Sequence, residues 1–195
     1  MFTGIIKRVG KIKKIEDRNG RRYFTIEVRN FLKDVKVGAS IATNGACLTV
    51  IAKKKNEFKA EVMPETLRVT NFRNAKIGDL VNLELGLKAN ERIDGHFVLG
   101  HVDGVGVIEN ILSQGKNKEL IIKPPRELME YLACKGSVAL DGVSLTISGC
   151  GKKFFKVSLI SHTVEVTNFS KLKKRDKINI EVDMMARYLE NLLKK

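Results

Sequence analysis

Two short segments carry the residue types best suited to chemistry. Residues 44–49 read Asn-Gly-Ala-Cys-Leu-Thr, and residues 141–146 read Asp-Gly-Val-Ser-Leu-Thr. In each, a turn dipeptide precedes thiol or hydroxyl groups at alternate positions, which share one face of a strand. Small polar groups that face inward from a strand suit a polyhydroxylated ligand. The alternative is an ordinary strand with Thr and a buried Cys; the recurrence of the pattern supports the ligand interpretation.

The two segments differ in chemistry as well as in position. Cys47 aligns with Ser144, and Ile5 aligns with His101, so the imidazole occurs only in the second segment's neighbourhood. Histidine moves protons near neutral pH, although a lone histidine is more often structural. Asp183 precedes the C-terminal tail, where a helix cap is the alternative to a functional role.

Several common sites have no matching pattern. His96 and His101 lie close together, but no further ligand stands at a metal-binding spacing, so we predict no metal. The sequence has no phosphate-binding loop and no dinucleotide fingerprint, and we predict no cofactor.

These segments belong to an internal repeat. Residues 39–84 align without a gap with residues 136–181, at a constant offset of 97 positions. A repeat of this length is the size of a domain, whereas solenoid repeats are shorter. The chain therefore contains two copies of one small domain. This predicts two related pockets and favours a reaction that uses two similar molecules.

The copies read mostly as strands. Period-two alternation over residues 23–28, 58–62, 81–85 and 178–182 predicts a small antiparallel barrel in each copy. Short helical stretches are expected at residues 31–36 and 125–134, each ended by a glycine, Gly38 and Gly136. A further turn is expected after Thr66 and after Thr163.

The tail falls outside the repeat and has an amphipathic pattern. Its apolar residues recur at helical spacing: Met185, Tyr188, Leu189, Leu192 and Leu193. The stripe must be buried, either on its own barrel or against another subunit, and the pattern does not choose between them.

Composition narrows the class of protein. The chain has 195 residues, a net charge of +14, three cysteines and no Trp. No apolar run spans a bilayer and no signal peptide is recognised, so we expect a reduced, cytoplasmic protein without membrane contact. The basic residues are scattered in short runs and aromatics are 6%, which disfavours nucleic acid as the main partner.

Four motifs, in this order, point to a family. They are Met-Phe-Thr-Gly-Ile at the start, residues 44–50, the segment from Gly95-His96 to Gly100-His101-Val102, and residues 141–146. Together they closely resemble the riboflavin synthase family, alpha-chain type, over nearly the whole chain. The resemblance implies an all-β fold of tandem duplicated six-stranded antiparallel Greek-key barrels, similar to flavin-binding reductase barrels, with a C-terminal α-helix. The implied domains are residues 1–90 and 91–183, both lumazine-binding barrels, and a trimerisation helix at residues 184–195.

The resemblance also implies an activity. Such a transferase dismutates two molecules of 6,7-dimethyl-8-ribityllumazine by four-carbon transfer, giving riboflavin and 5-amino-6-ribitylaminouracil. The implied assembly is a homotrimer with its active site between the N-terminal barrel of one subunit and the C-terminal barrel of another. An association with lumazine synthase is a further expectation.

Carried over by motif, the substrate-binding residues form two cradles. The N-terminal cradle comprises Gly4, Ile5, Ile6, Cys47, Leu48, Thr49, Glu61, Val62, Met63, Pro64, Glu65 and Thr66. The C-terminal cradle comprises Gly100, His101, Val102, Lys135, Ser144, Leu145, Thr146, Ser158, Leu159, Ile160, Ser161, His162 and Thr163.

The resemblance further implies catalytic roles. His101 is expected to shuttle protons, and Ser144 and Thr146 to stabilise intermediates. Cys47 is expected to act as a nucleophile or to position substrate. Asp183 is expected to be an orienting carboxylate.

Two alternatives remain. One is a non-catalytic lumazine- or flavin-binding protein. Such proteins lack the histidine and threonine that this chain has as His101 and Thr146. The other is a basic oligonucleotide-binding barrel, which predicts salt-sensitive affinity for nucleic acid.

Overall fold

The first half of the chain closes into a six-stranded antiparallel barrel. The computed structural model describes residues 1–194. The strands are β1 (Arg8–Arg18), β2 (Arg21–Glu27), β3 (Ser40–Thr43), β4 (Ala46–Lys53), β5 (Glu57–Val62) and β6 (Leu80–Leu85). They pair in the order β1-β2-β5-β4-β3-β6, and β6 returns to β1. Closure leaves no unpaired sheet edge.

The second half repeats this barrel. Its strands are β7 (Gly104–Gln114), β8 (Asn117–Lys123), β9 (Ser137–Leu140), β10 (Val143–Cys150), β11 (Phe155–Leu159) and β12 (Lys177–Val182). The pairing order is the same, and register shifts recur at matching places, such as Ile12/Lys14 and Ile108/Asn110. The predicted fold of two tandem antiparallel barrels is confirmed.

Alternation along the strands fills each barrel with apolar side chains. In β5, Phe58, Ala60 and Val62 are buried and the residues between them are partly exposed. Phe24 meets Phe72 edge to face, with ring centroids 5.3 Å apart. Phe155 and Phe169 are likewise fully buried in the second barrel. The interiors are therefore packed cores, and any ligand must bind outside them.

The helices are short, and one prediction about them was wrong. α1 (Pro64–Val69), α2 (Ser161–Val166) and α3 (Met184–Leu193) are α-helical, and 3₁₀ turns cover Asn71–Asn74, Arg126–Tyr131 and Asn168–Lys171. Residues 31–36 form turns instead of the expected helix. Three buried apolar residues anchor that segment to the core of the first barrel, a role that a buried turn fills as well as a helix.

The expected glycine cap at Gly136 was also wrong. Lys135, one position earlier, adopts the left-handed conformation with φ 67°. Its counterpart in the first barrel is Gly38, with φ 89°. Both donate their backbone N–H to a neighbouring strand, Gly38 to Val50 and Lys135 to Ile147. The backbone geometry is therefore shared, although the second copy has a lysine where glycine is favoured.

The two barrels meet at an approximate two-fold axis, where Gly45 and Gly142 cross. A Cβ on either glycine would lie 2.8 Å from the backbone nitrogen of the other, and both have φ +79°. Around this crossing, Asn82 donates its side-chain amide to the Asp141 carbonyl, and Asn179 donates to the Asn44 carbonyl. Only glycine permits this approach, because both space and φ exclude a side chain.

Polar contacts tie the tail helix α3 to the second barrel. Arg187 Nη2 donates to both oxygens of Asp103 at 2.7 and 2.9 Å, and Tyr131 Oη donates to Glu190 at 2.6 Å. The predicted apolar stripe faces solvent: Met185, Tyr188, Leu189, Leu192 and Leu193 are each more than half exposed. Lys195, the last residue of the predicted tail, lies outside the described residues. None of the helices in residues 1–194 is long and apolar enough to cross a membrane.

Candidate active site

The chemistry-bearing side chains of β4 lie on the outer face of the first barrel. Ala46, Leu48 and Val50 are buried, while Cys47 and Thr49 are exposed. The expectation that the polar groups face inward was therefore wrong, because the interior is filled by apolar side chains. The predicted alternation is confirmed.

The matching strand β10 has the same arrangement. Val143 and Ile147 are buried, Ser144 is half-buried, and Thr146 is exposed. Leu145 packs against the core of the second barrel. Each barrel thus presents a strand face with two small polar side chains.

Two chain segments, residues 3–6 and 99–102, cross between the barrels beside these strands. Each is held by a buried carboxylate. Glu84 on β6 accepts hydrogen bonds from Thr3 N, Thr3 Oγ1 and Gly4 N at 2.7–3.0 Å. Glu181 on β12 accepts from Leu99 N, Gly100 N and His101 N at 2.6–3.0 Å. The two glutamates correspond in the repeat. They satisfy backbone donors that no strand partner reaches.

Each crossing segment reaches the opposite barrel. Cys47 N donates to the Gly100 carbonyl at 2.9 Å, and Ser144 N donates to the Gly4 carbonyl at 2.8 Å. A Cβ on Gly4 would lie 2.6 Å from Ser144 Cβ, and one on Gly100 equally close to Cys47 Cβ. Only glycine allows the segments to lie this close to the strands.

This crossing corrects the predicted grouping of the cradles. Val102 packs on the core of the first barrel, and Ile6 packs on the core of the second. The first cradle therefore contains residues 47–49, 61–66 and 100–102. The second cradle contains residues 144–146, 158–163 and 4–6, with Lys135 beside β10. The repeat alone could not reveal that each barrel receives the crossing segment of the other. Residues 4–6 and 100–102 precede the first strand of their own barrel, and the alignment of the copies does not show which barrel they contact.

The rest of each cradle comes from the neighbouring strand and the helix after it. β4 pairs with β5 and β10 pairs with β11, with Val50 opposite Ala60 and Ile147 opposite Val157. Glu61, Met63, Pro64 and Glu65 are at least partly exposed in the first cradle, as are Ser158, Ile160, Ser161 and His162 in the second, whereas Val62 and Leu159 are buried. Thr66 and Thr163 are partly buried in the following helices, and their carbonyls accept the hydroxyls of Thr70 and Thr167.

His96 is a candidate that was not among the predicted site residues. His96 Nδ1 lies 2.7 Å from Ser144 Oγ, and its backbone N–H donates to the Thr3 carbonyl at 3.2 Å. Its Nε2 is buried and has no hydrogen-bond partner within residues 1–194. Burial lowers the pKa of His96, and the negative charge of Asp183 opposes that shift. A neutral imidazole against a hydroxyl can accept and return a proton.

The predicted His101 and Asp183 occupy different settings. The His101 side chain is exposed, and His101 follows Gly100, whose carbonyl accepts the Cys47 N–H, so we group His101 with the first cradle. Asp183 Oδ1 accepts the Met185 N–H at 3.0 Å and caps α3, as the structural alternative proposed. Asp183 also acts electrostatically on His96. The structure thus brings Ser144 and His96 together, with Asp183 near enough to influence the imidazole.

Three buried carboxyl groups surround the contact between the barrels. Burial raises the pKa of Glu181 to about 7, although three backbone N–H groups favour the ionised form. Burial likewise raises the pKa of Asp141 to about 7 and raises the pKa of Glu84 above its ordinary value. Desolvation disfavours the charged form of each group. We place them in the scaffold because they face the chain's own amides.

Taken together, the geometry defines a duplicated ligand-binding protein with paired cradles, each offering strand hydroxyl or thiol groups and a glycine-flanked backbone edge. The family model described as lumazine binding domain matches twice, over residues 3–86 and 99–183. The chain is therefore a protein of two lumazine-binding domains.

Similar proteins narrow the family further. Riboflavin synthase of Actinobacillus pleuropneumoniae is 42% identical over 195 residues, covering 100% of this chain and 91% of that protein. Riboflavin synthase of Bacillus subtilis (strain 168) is also 42% identical, with the same coverage. The crystal structure of LumP complexed with riboflavin superimposes with a TM-score of 0.88 at 25% identity, covering 93% of this chain and 99% of that one. This chain belongs to the riboflavin synthase family.

Proposed function

We propose that the protein converts two molecules of 6,7-dimethyl-8-ribityllumazine into riboflavin and 5-amino-6-ribitylaminouracil. One substrate transfers a four-carbon unit to the other, so the carbon lost by the donor appears in the product without an added oxidant or reductant. The single observation that carries the proposal is the pair of equivalent cradles on the two barrels. Two copies of one substrate need two similar sites.

Positioning supplies much of the proposed catalysis. Two ring systems held face to face react as one unit, and orientation of this kind can contribute roughly 7–11 kcal/mol to lowering a bimolecular barrier. The backbone edges beside Gly4 and Gly100 would read the ring edges. Lys135 and the strand hydroxyls would hold the ribityl chain, because these groups donate to its hydroxyl oxygens.

Proton transfer is proposed for the second cradle. The C7 methyl group of the lumazine is acidic because its anion delocalises over the pteridine ring. Ser144 Oγ and His96 Nδ1, 2.7 Å apart, would take up and return that proton. Thr146 would stabilise the developing anion beside them. In the first cradle, His101 and Cys47 would position the partner substrate, with His101 available as a second proton carrier.

The proposed assembly is a homotrimer. Both cradles lie on outer barrel faces and are open to solvent in the single chain, and the apolar stripe of α3 is exposed. Burying α3 between subunits would remove that apolar surface from water. The same assembly would bring the first cradle of one subunit against the second cradle of another. The glutamate substitutions Leu189→Glu and Leu192→Glu should yield monomers in sedimentation experiments, whereas Asn191→Glu, which adds the same charge at an exposed polar position of α3, should leave the trimer intact.

The location and partner of the protein are also part of the proposal. Cys47, Cys134 and Cys150 are all free thiols, which suits the reducing cytoplasm. A physical association with lumazine synthase would deliver substrate directly, and the net charge of +14 suits an acidic partner surface. Co-sedimentation of the two purified proteins at low and high salt tests this association.

The deciding experiment uses the purified protein and 6,7-dimethyl-8-ribityllumazine alone. We expect one riboflavin for every two lumazines consumed, followed by absorbance and by assay of the pyrimidine product. Tight binding without turnover would instead identify a non-catalytic lumazine- or flavin-binding protein. Retained turnover in a folded His101→Ala or Cys47→Ala variant would remove that residue from the mechanism.

A further inference from the structure

A second cavity lies between the two barrels, separate from both cradles. It is a cleft of about 800 Å³ where the 3₁₀ turns Asn71–Asn74 and Asn168–Lys171 approach each other. Asn44 and Asp141 line its floor at the inter-barrel contact. The described residues that line it include none of the predicted site residues. Its volume is in the range of small-ligand sites.

The cleft is rich in cationic side chains, which are Lys11, Lys76, Lys171, Arg175 and Lys177. Within residues 1–194, none of these five has a carboxylate partner within 4 Å, although many other cations of the chain form such pairs. Asp79 and Asp176 also line the cleft, but their carboxylates accept backbone N–H groups, from Lys76 and Lys173 respectively. Like charges gathered in one cleft repel each other, and a bound anion would relieve that repulsion.

The second copy supplies most of this charge. Lys171, Arg175 and Lys177 stand where the first copy has Asn74, Gly78 and Leu80. All six of these residues line the same cleft. The repeat therefore shows that the fold tolerates neutral residues at these positions, so the three cations are not needed to form the barrel.

Arg175 is held in an unfavourable backbone conformation. Its φ is +75°, where the corresponding Gly78 has +101°. The other non-glycine residues with positive φ are Asn or Asp, which tolerate this region, with the exception of Lys135. Lys135 lies beside the second cradle and is predicted to bind substrate. Strain of this kind concentrates at sites that need a particular side chain.

We propose that the cleft between the barrels binds a small ligand carrying adjacent phosphate groups. Arginine and lysine are the side chains that bind phosphate, and the arginine fork can engage two oxygens at once. Phe72, the aromatic residue of the cleft, is buried and offers no face for a base to stack on. The phosphates would therefore carry the recognition, whether they come from a nucleoside triphosphate or from inorganic polyphosphate.

The test uses the full-length protein and inorganic triphosphate as the probe, measured by calorimetry. We expect one site per chain, with an affinity that falls as potassium chloride increases. The triple variant Lys171→Asn, Arg175→Gly, Lys177→Leu gives the second copy the residues of the first. It should bind triphosphate roughly 100-fold more weakly, because three unit charges are removed from the ligand's surroundings. Its riboflavin formation should equal that of the unmodified protein.

A matched control has the same change in charge and introduces the same three residue types at exposed sites elsewhere: Lys55→Asn, Lys152→Gly, Lys153→Leu. It should bind triphosphate normally. Equal weakening in both variants, or many weak sites per chain, would show only general surface charge and overturn the proposal. Arg175→Gly alone should weaken binding while the free energy of unfolding stays equal or rises, whereas a structural role would lower that free energy.

Two further probes distinguish the source of the phosphates. Equal affinity for ATP and triphosphate would support recognition of phosphates alone, and tighter binding of ATP would support a nucleotide. If a twelve-residue single-stranded RNA binds more tightly than both and loses its affinity in the triple variant, the cleft is a nucleic-acid site and the proposal is wrong.

Discussion

The two barrels share a scaffold but differ in the side chains that project from it. Glu84 and Glu181 each hold a crossing segment, and Gly45 and Gly142 cross at one point. These matched residues determine backbone geometry. Duplication has kept the positions at which a different residue would break a strand, a turn or the contact between the barrels.

Several of the differences lie at positions exposed to a cradle or to the cleft. Ser144 is hydrogen-bonded to His96, whereas its counterpart Cys47 has no imidazole at that distance among the described residues. Lys135 and Arg175 replace glycines of the first barrel at positive φ. The proposed mechanism therefore assigns more of the chemistry to the second barrel, and to the first a related surface for binding.

The largest effect should come from breaking the symmetric contact. Gly45→Ala or Gly142→Ala places a methyl group 2.8 Å from backbone nitrogen and forces a non-glycine residue to φ +79°. We expect each to lower the free energy of unfolding by about 4 kcal/mol or more, measured in urea. Gly20→Ala is the control, since its φ is +74° but nothing lies within 4 Å. It should cost only about 1–2 kcal/mol. Equal costs at all three sites would refute the close crossing.

The next prediction concerns Asp141, which occupies the position of Asn44. Burial raises the pKa of Asp141 from 3.8 to about 7, so the folded state keeps a proton that the unfolded state releases between these values. The free energy of unfolding should therefore fall as pH rises through this window, by on the order of 4 kcal/mol. Asp141→Asn should remove this part of the pH dependence. The measurement is urea unfolding at several pH values; parallel curves for both proteins would contradict the assignment.

The third prediction exchanges the two chemistries. Ser144→Cys replaces the hydroxyl that lies 2.7 Å from His96 with a larger, weakly hydrogen-bonding thiol. We expect kcat for riboflavin formation to fall by roughly 100-fold, the scale of a lost proton-transfer partner. Cys47→Ser should reduce kcat less than about tenfold, because proton transfer is assigned to the other cradle. A greater loss in Cys47→Ser would place the chemistry in the first cradle.

The fold was predictable because its signals are local and occur twice. Period-two alternation places Leu48 and Cys47 on opposite faces of one strand, and the gapless offset requires two copies of one unit. The wrong helix at residues 31–36 shows the limit of local reasoning: a short apolar segment fits a buried turn as well as a helix. Capping rules also failed at Lys135, which adopts a positive φ although it is not a glycine.

The site was predictable only in its parts. Its grouping depends on contacts between distant residues, such as Gly4 with Ser144 and Gly100 with Cys47. No periodicity indicates which barrel a crossing segment will reach. His96 was missed for the same reason, because its partner Ser144 lies far along the chain and nothing in the local pattern distinguishes His96 from His101.

The smallest predicted effect tests whether matched hydrogen bonds of the two barrels contribute equally to the free energy of unfolding. Thr70 and Thr167 are buried, each donates its hydroxyl to the carbonyl of Thr66 or Thr163, and each accepts the N–H of the phenylalanine two residues later. Thr70→Val and Thr167→Val keep the shape and remove the hydroxyl. We expect each to lower the free energy of unfolding by about 1 kcal/mol, because a capping oxygen is lost in both.

Serine substitutions at the same two positions are the control, because they keep the hydroxyl and should recover most of the loss. Equal costs within about 0.5 kcal/mol would extend the correspondence of the barrels from geometry to stability. A cost confined to one barrel would mean that matched hydrogen bonds make unequal contributions. The second barrel would then differ from the first in its scaffold as well as in its cradle. The proposed difference in function between the barrels could then not be explained by their exposed side chains alone.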